Sequence, residues 1–406
     1  TKGSIKYGSG YYPLWKDAAE SEKYIYNVWR QITLAFNNGY DHHLIFEGLN
    51  EPRIAGLPNE WWYTPNDKNC KEAAKVLNEY NKLILKTIRD SKGNNQFRFV
   101  MTTALAASYS STSSDDFIIP NDYAVDRSSL PEIYAETKRV LVSVHMYTPY
   151  DLVMNPNMTI STFTDAHAEE LYVDFKTLYQ KYVLKGYHVI IGEMGIVNKS
   201  NLPQRIKWAK YYISLCRQFQ FAPIIWDNGI WDNSESAEET YGFFDRRNLK
   251  WVEPTLMKAF IDTAKVPLSE DVELFEHALL ETYNKSEIII DQGDEEMIPI
   301  SSKILIDKMS FGWNLANTLD AFNSSQNQGL ESETYWGNPE TTEEMIIAIV
   351  SKGFKAIRIP VTWHNHLIDG RYTICPKWMK RVKTVVDWSI KHGLYVILNT
   401  HHDNAD

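Results

Sequence analysis

Short β-branched runs alternate with amphipathic segments from one end of the chain to the other. The runs are 43–49 (HLIFEGL), 97–104 (FRFVMTTA), 139–146 (RVLVSVHM), 188–194 (HVIIGEM), 222–227 (APIIWD), 309–315 (MSFGWNL), 355–361 (KAIRIPV) and 394–400 (LYVILNT). Most are near-continuously apolar rather than alternating, which is the pattern of parallel strands covered on both faces. Between them lie helical periods. In 22–37, Ile25, Val28, Trp29, Ile32 and Phe36 recur at i, i+3, i+4 spacing, with Gly39 just past the end. Residues 70–91, 165–184, 202–218 and 254–264 behave likewise. Residues 341–352 open on a Thr341-x-x-Glu344 capping box, and 376–392 have Pro376 near the start and Gly393 beyond the end. Eight strand–helix pairs at this length predict an α/β fold, the (β/α)8 TIM barrel.

One segment breaks the alternation. Residues 266–303 hold ten acidic residues between Glu270 and Glu296 against Lys285 alone, with a helix-like piece near 271–283. They predict a connector between a unit finished near Lys265 and a second one beginning at 304, which opens "MSFGWNLANTLDAF" from Met309. The expected organisation is therefore 1–265, connector 266–303, and 304–406, together making one domain.

Composition narrows the partners. Of 406 residues, 44% are hydrophobic, enough to bury a large core, and the formal net charge is -10 with no basic run. That argues against nucleic acid and against anionic membrane surfaces. No run approaches the ~18 uninterrupted apolar residues of a membrane span. The opening "TKGSIKYGSGYYPLW" lacks a signal-peptide core, so any secretion signal is expected to have been removed or never to have existed. The three cysteines match no metal or redox spacing and are expected to be free, mostly buried thiols. Thirteen Trp and 24 Tyr exceed the needs of a core, and many sit in loop-like stretches where flat faces suit sugar rings.

Two carboxylates carry the chemistry. Glu51, in Asn50-Glu51-Pro52, lies where a predicted strand gives way to a loop, and Glu193, in "HVIIGEMG", occupies a second strand end. The carboxyl ends of barrel strands form the catalytic face, so the two converge. A converging pair is what glycosidic cleavage requires: one acid to protonate the leaving oxygen, one carboxylate to stabilise or attack the anomeric centre.

Asn50-Glu51-Pro52, His145-x-Tyr147, the Gly192-Glu193 strand end and Trp226, together with "GWNLANTLDA", "IRIPVTW" and "HHD", resemble glycoside hydrolase family 5, and most closely its endoglucanases. The resemblance spans nearly the whole chain except the connector. The order of motifs differs. In the family "GWNLGNTLDA" opens the barrel and "NEP" ends its fourth strand, whereas this chain runs through strands four to eight, crosses the connector, and finishes with strands one to three. The expectation is a circularly permuted barrel, residues 1–21 being one half of a loop split after strand three.

The resemblance implies roles. Glu51 corresponds to the general acid/base and Glu193 to the nucleophile of a retaining endo-β-1,4-glucanase, with carboxyl groups about 5–5.5 Å apart. Asn50 is expected to bind the sugar 2-OH, and His145 to lie near the acid/base. Tyr147 and Arg358 are expected to hold Glu193 ionised by lowering its pKa. Trp226 would form the platform beneath the ring being cleaved. His401, His402, Asn314 and Trp363 are expected to bind substrate, with Trp62, Trp231 and Trp336 as further platforms. Where the family has Gly in "NLGNT", this chain has Ala316. No cofactor or metal is implied, although His401-His402-Asp403 could suggest one. Adjacent strand residues point to opposite faces, which argues against a shared metal.

A secreted monomer acting on cellulose-like or mixed-linkage β-glucan, as polymer or oligosaccharide, is the favoured expectation. Xyloglucan, xylan or mannan backbones stay open, since cleft loops decide among them. A non-catalytic glycan-binding barrel and a metal-dependent amidohydrolase barrel are the competing classes.

Overall fold

The computed structural model describes residues 12–122, 138–234, 236–268, 300–323 and 328–402. Eight parallel strands close a ring surrounded by helices, the predicted (β/α)8 TIM barrel. In chain order they are β1 (Leu44–Glu47), β2 (Val100–Ser108), β3 (Val140–His145), β4 (Val189–Met194), β5 (Phe221–Ile225), β8 (Gly312–Asn314), β9 (Ala356–Ile359) and β10 (Tyr395–Asn399). A two-stranded hairpin, β6 (Phe244–Asp245) and β7 (Lys250–Trp251), stands apart from the ring and was not foreseen. Each barrel strand pairs with the next one along the chain, and β10 closes on β1 with Glu47 opposite Asn399. The junction between β5 and β8, which spans the connector, is an ordinary parallel neighbour pair.

Every residue of the barrel strands except Ser108 is buried, because helices cover the strands outside while side chains fill them inside. Alternation divides their residues. Phe46, Val142, Val144, Ile191, Ile357 and Leu398 face the helices, and Ile45, Leu141, Ile190, Ala356 and Ile397 face the barrel axis. Toward the carboxyl ends the inward set turns polar: Glu47, Ser143, Gly192, Asn314, Arg358 and Asn399. The amino-terminal mouth is plugged by the helix Ser302–Met309, whose Ile304, Leu305, Ile306 and Met309 join the apolar inward cluster. Ser301 caps it by accepting the Ile304 N–H. The sequence pattern predicts no helix here: residues 302 and 303 fall in the expected connector, 304–308 open the second unit and Met309 begins a predicted strand, because eight residues are too few to display a helical period.

Other helices match with adjusted ends. Trp15–Ala35 begins seven residues before the predicted 22, so the stretch expected as loop is helical from Trp15. Its first turns bury small or polar residues such as Ala18 and Ser21, which leave no hydrophobic period to read. Glu343–Lys352 is capped by Thr342, which accepts the Met345 N–H, and not by Thr341. The Thr341 backbone is engaged instead, donating to Glu333 and accepting from Arg381. Cys70, Cys216 and Cys375 are free thiols, the first two buried. No helix among the described residues is long and apolar enough to cross a membrane. The expected helical piece near 271–283 and Asp403 fall outside the described residues.

Candidate active site

All the chemistry foreseen from the sequence sits at the carboxyl ends of the strands. Glu193 is the last residue but one of β4, His145 ends β3, Trp226 follows β5, and Asn50 and Glu51 follow β1. One oxygen of Glu51, one of Glu193 and one ring nitrogen of His145 all lie within 4.8 Å of one another. His145 Nδ1 stands 2.6 Å from Glu51 Oε1 and 3.6 Å from Glu193 Oε2, so the imidazole bridges the two acids. Tyr147 donates its hydroxyl to Glu193 Oε2 at 3.1 Å, and Arg358 Nη1 donates to Glu193 Oε1 at 2.8 Å.

Arg358 is wholly buried and spends its donors on four groups. Nη1 also reaches Asn314 Oδ1 (3.0 Å), Nη2 reaches Asn50 Oδ1 (2.7 Å), and Nε reaches Glu47 Oε2 (2.6 Å). Glu47 is a third buried carboxylate that motif reasoning missed. It also accepts from Ser143 Oγ (2.6 Å) and Asn399 Nδ2 (3.1 Å). A signal existed, since "HLIFEGL" sets a lone charge inside an otherwise apolar strand.

The acids are not equivalent. The Glu193 side chain is 7% exposed and that of Glu51 19%. Burial pushes Glu193 above the ordinary carboxylate range, against the pull of His145 and Arg358 and with help from the Glu51 charge. Arg358 therefore acts in the expected sense, but burial outweighs it and the net direction is opposite to the one expected. At Glu51 burial also pushes upward, but the His145 hydrogen bond and charge, with Arg53 and Arg358, bring it down. Burial lowers His145, and the Glu193 charge and Glu51 hydrogen bond raise it to a net increase. Lowering Glu51 and raising His145 is the pattern of an ion pair across a 2.6 Å contact, with the proton favoured on the imidazole and the two groups titrating together.

Around the acids, Trp226 lies parallel to His401, with centroids 5.8 Å apart and planes 9° apart. His401 and His402 pack edge to face at 4.4 Å, and His402 Nε2 lies 3.8 Å from Asp320. The expectation of opposite faces fails here, because β10 ends at Asn399 and strand alternation ends with it. Phe322, Trp336 and His402 form one aromatic cluster, while Trp62 is 63% exposed and Arg53 stacks on Trp61 at 4.3 Å. A pocket on the Glu51 side of the pair is lined by Glu51, Arg53 and His401 together with Tyr24 and Ile25 of the helix Trp15–Ala35 and Tyr80 of the helix Lys68–Asp90.

Two predicted substrate contacts are not at the surface. Trp363 is fully buried and donates its indole N–H to the Asn399 carbonyl at 3.0 Å, so it supports β10 from behind. Asn314 is fully buried and donates to the Gly192 carbonyl at 3.0 Å while accepting from Arg358, which makes it an internal brace between β8, β4 and β9. Both lie in the motifs, but strand position and burial decide what they touch. Ala316 is buried beside Trp226 without adopting left-handed backbone; Asn317 next to it does so, with φ 56°. The departure from Gly is therefore unstrained.

A model of the cellulase family, glycosyl hydrolase family 5, matches residues 10–232 and 318–406. The chain belongs to glycoside hydrolase family 5. Among family relatives, endoglucanase B of Clostridium cellulovorans is 38% identical over 252 residues, which cover 61% of this chain and 52% of that protein. The chain thus spans about half the length of that relative. A glycoside hydrolase 5 lichenase from Caldicellulosiruptor sp. F32, solved with cellotetraose, superposes with a TM-score of 0.58 at 32% identity, covering 65% of this chain and 68% of that one. A GH5-4 broad specificity endoglucanase from Ruminococcus champanellensis with bound cellotriose gives 0.53 at 32% identity, covering 62% and 64%.

Proposed function

We propose that this chain is a retaining endo-β-1,4-glucanase acting on cellulose-like or mixed-linkage β-glucans. The observation that carries this reading is the approach of one oxygen of Glu51 and one of Glu193 to within 4.8 Å, with a ring nitrogen of His145 within the same distance of both. Inverting pairs stand roughly 6.5–9.5 Å apart to admit a water, and retaining pairs about 5–5.5 Å. Glu193, braced by Arg358 and Tyr147, attacks the anomeric carbon. The Glu51–His145 pair supplies the proton that leaves with the departing sugar, so the glycosidic bond breaks as the Glu193 ester forms. Glu51 then takes a proton from water, which hydrolyses the ester. Asn50, its carbonyl oxygen fixed on Arg358, presents its amide to the sugar 2-OH. Trp226 underlies the ring, and His401 and His402 border the hydroxyls on the donor side.

The names of the relatives, a lichenase with cellotetraose and an endoglucanase with cellotriose, support the substrate class. A β-glucan polymer is too large to enter a cell, so the proposal includes action outside it, and one barrel with a single site suffices as a monomer. Hydrolysis of soluble cellulose derivative, lichenan, xyloglucan, xylan and mannan, followed by proton NMR of the first product, tests the reading. Turnover on the first two with the β-anomer appearing first is expected. An α-anomer first, activity confined to xyloglucan, xylan or mannan, or no turnover at all would overturn it. Chelator-sensitive turnover would point instead to a metal-dependent barrel.

We also infer that the barrel is circularly permuted, 1–265 and 304–406 closing one ring across 266–303. In support, the family model matches two separate blocks, while each relative aligns over about three-fifths of the chain. Light scattering after chromatography should find an active monomer. Activity restricted to dimers would assign the two blocks to different barrels.

A further inference from the structure

We propose that Glu47 is a positioning residue for the glycosylation step, acting through Arg358 as its permanent counter-ion. The inference rests on the retaining reading above. Glu47 is fully buried at the carboxyl end of β1 and cannot touch a sugar. Its two oxygens take three donors from three different strands: Ser143 of β3, Arg358 of β9 and Asn399 of β10. Asn399 continues the chain outward, its amide 3.1 Å from His401 Nδ1. Glu47 therefore fixes the edge of the guanidinium that carries Nε. The other edge is left aimed at Glu193 and Asn50, 2.8 and 2.7 Å away.

Charge accounting gives the reason for a second buried acid. Before reaction, one guanidinium faces two carboxylates, Glu47 and Glu193. When Glu193 forms its bond to the anomeric carbon it becomes a neutral ester, and the glycosidic bond breaks with the proton passing to the leaving oxygen. Without Glu47, that step would strand Arg358 as a buried cation with no anion, an expensive state. With Glu47, a complete ion pair survives in the intermediate. The second carboxylate also keeps Arg358 from being monopolised by Glu193, which preserves the nucleophile's basicity. The other groups facing Glu193 are His145 and Tyr147 from β3 and its loop, and Glu51 from the loop after β1. Tyr241 packs on Tyr147 with ring centroids 5.6 Å apart. Gly192 completes the arrangement: a Cβ there would lie 3.3 Å from Glu47 Oε1 and 3.2 Å from His145 Nε2, so only glycine lets both groups close in without displacement.

The test is the pre-steady-state burst of an aryl β-cellobioside with a good leaving group, measured on the full chain. Glu47→Gln keeps the shape and removes the charge, and its burst should slow roughly 10–100-fold with little change in KM. With a negative neighbour gone and Arg358 undivided, Glu193 becomes easier to ionise, so the acidic limb of kcat/KM should move down by about one pH unit. Glu47→Asp keeps the charge but falls one methylene short, so it should slow the burst roughly tenfold and leave the limb in place. A Gln variant with a wild-type burst and limb overturns the inference, as do Gln and Asp variants equally slow with unmoved limbs, the mark of a purely structural role. If the Gln variant does not fold, a wild-type burst in the Asp variant overturns it alone. Inverted product stereochemistry in the wild type would fault the retaining reading rather than this one.

Discussion

The two halves of the barrel interior are made by the same strands with the same alternation, yet they are filled in opposite ways. Toward the amino ends, Ile45, Met101, Leu141, Ile190, Ile224 and Ile397 pack against the plug helix as a dry apolar layer. One step further along the strands, Glu47, Ser143, Asn314, Arg358 and Asn399 form a polar layer that is equally buried. The lower layer holds the ring closed by excluding water. The upper layer is held by charge-assisted hydrogen bonds that are worth having only if every partner is present. Stability and chemistry are thus stacked along one axis, and mutations should separate them.

The largest effect is expected in the upper layer. Glu193→Gln should lower kcat on the order of 10⁴-fold, with thermal unfolding little changed and binding of a cello-oligosaccharide retained by calorimetry. A non-catalytic binding barrel would show no activity to lose. The lower layer should respond in the opposite sense. Ile190→Ala should cost about 2–5 kcal/mol in denaturant unfolding through lost burial and a residual cavity, while turnover per folded molecule stays near wild type. A large drop in turnover without loss of stability would break the division.

A pH experiment sharpens the comparison at the rim. Asp320 accepts the backbone N–H groups of Asn317 and Thr318, yet burial raises its carboxyl to about 6. A raised carboxyl contributes stability that is complete below its unfolded value, about 3.8, and is lost as pH climbs through about 6. Asp320→Asn does not pay that cost. Its stability relative to wild type should therefore improve by about 3 kcal/mol between pH 3.5 and pH 7.5, read by urea unfolding at each pH. A constant difference would refute the assignment. The smallest effect belongs to Gly192→Ala, whose methyl must shift His145 and Glu47 by a few tenths of an ångström. A roughly tenfold loss of kcat with unchanged unfolding is expected.

Much of this was legible in the chain. The near-continuous apolar runs announced parallel strands, and their number at this spacing leaves few alternatives to a closed ring. Glu51, Glu193, His145 and Tyr147 were recognisable because each sits at or just beyond a strand end within a short motif. Trp363 and Asn314 misled for the same reason: a motif names residues without saying which layer each one enters. The plug helix and the hairpin escaped notice because elements of a few residues show no period.

What the sequence determined by itself was therefore the periodic: strand and helix order, the barrel class, and which strand ends carry acids. What tertiary structure decided was the convergent, namely that Glu47, Arg358 and Glu193, from β1, β9 and β4, share one buried charge network, that His145 spans the two acids, and that burial overrides Arg358 in setting the direction of Glu193. Local pattern encodes which way a side chain faces. Its protonation and its partners depend on distances across the ring, which arise only when the ring closes.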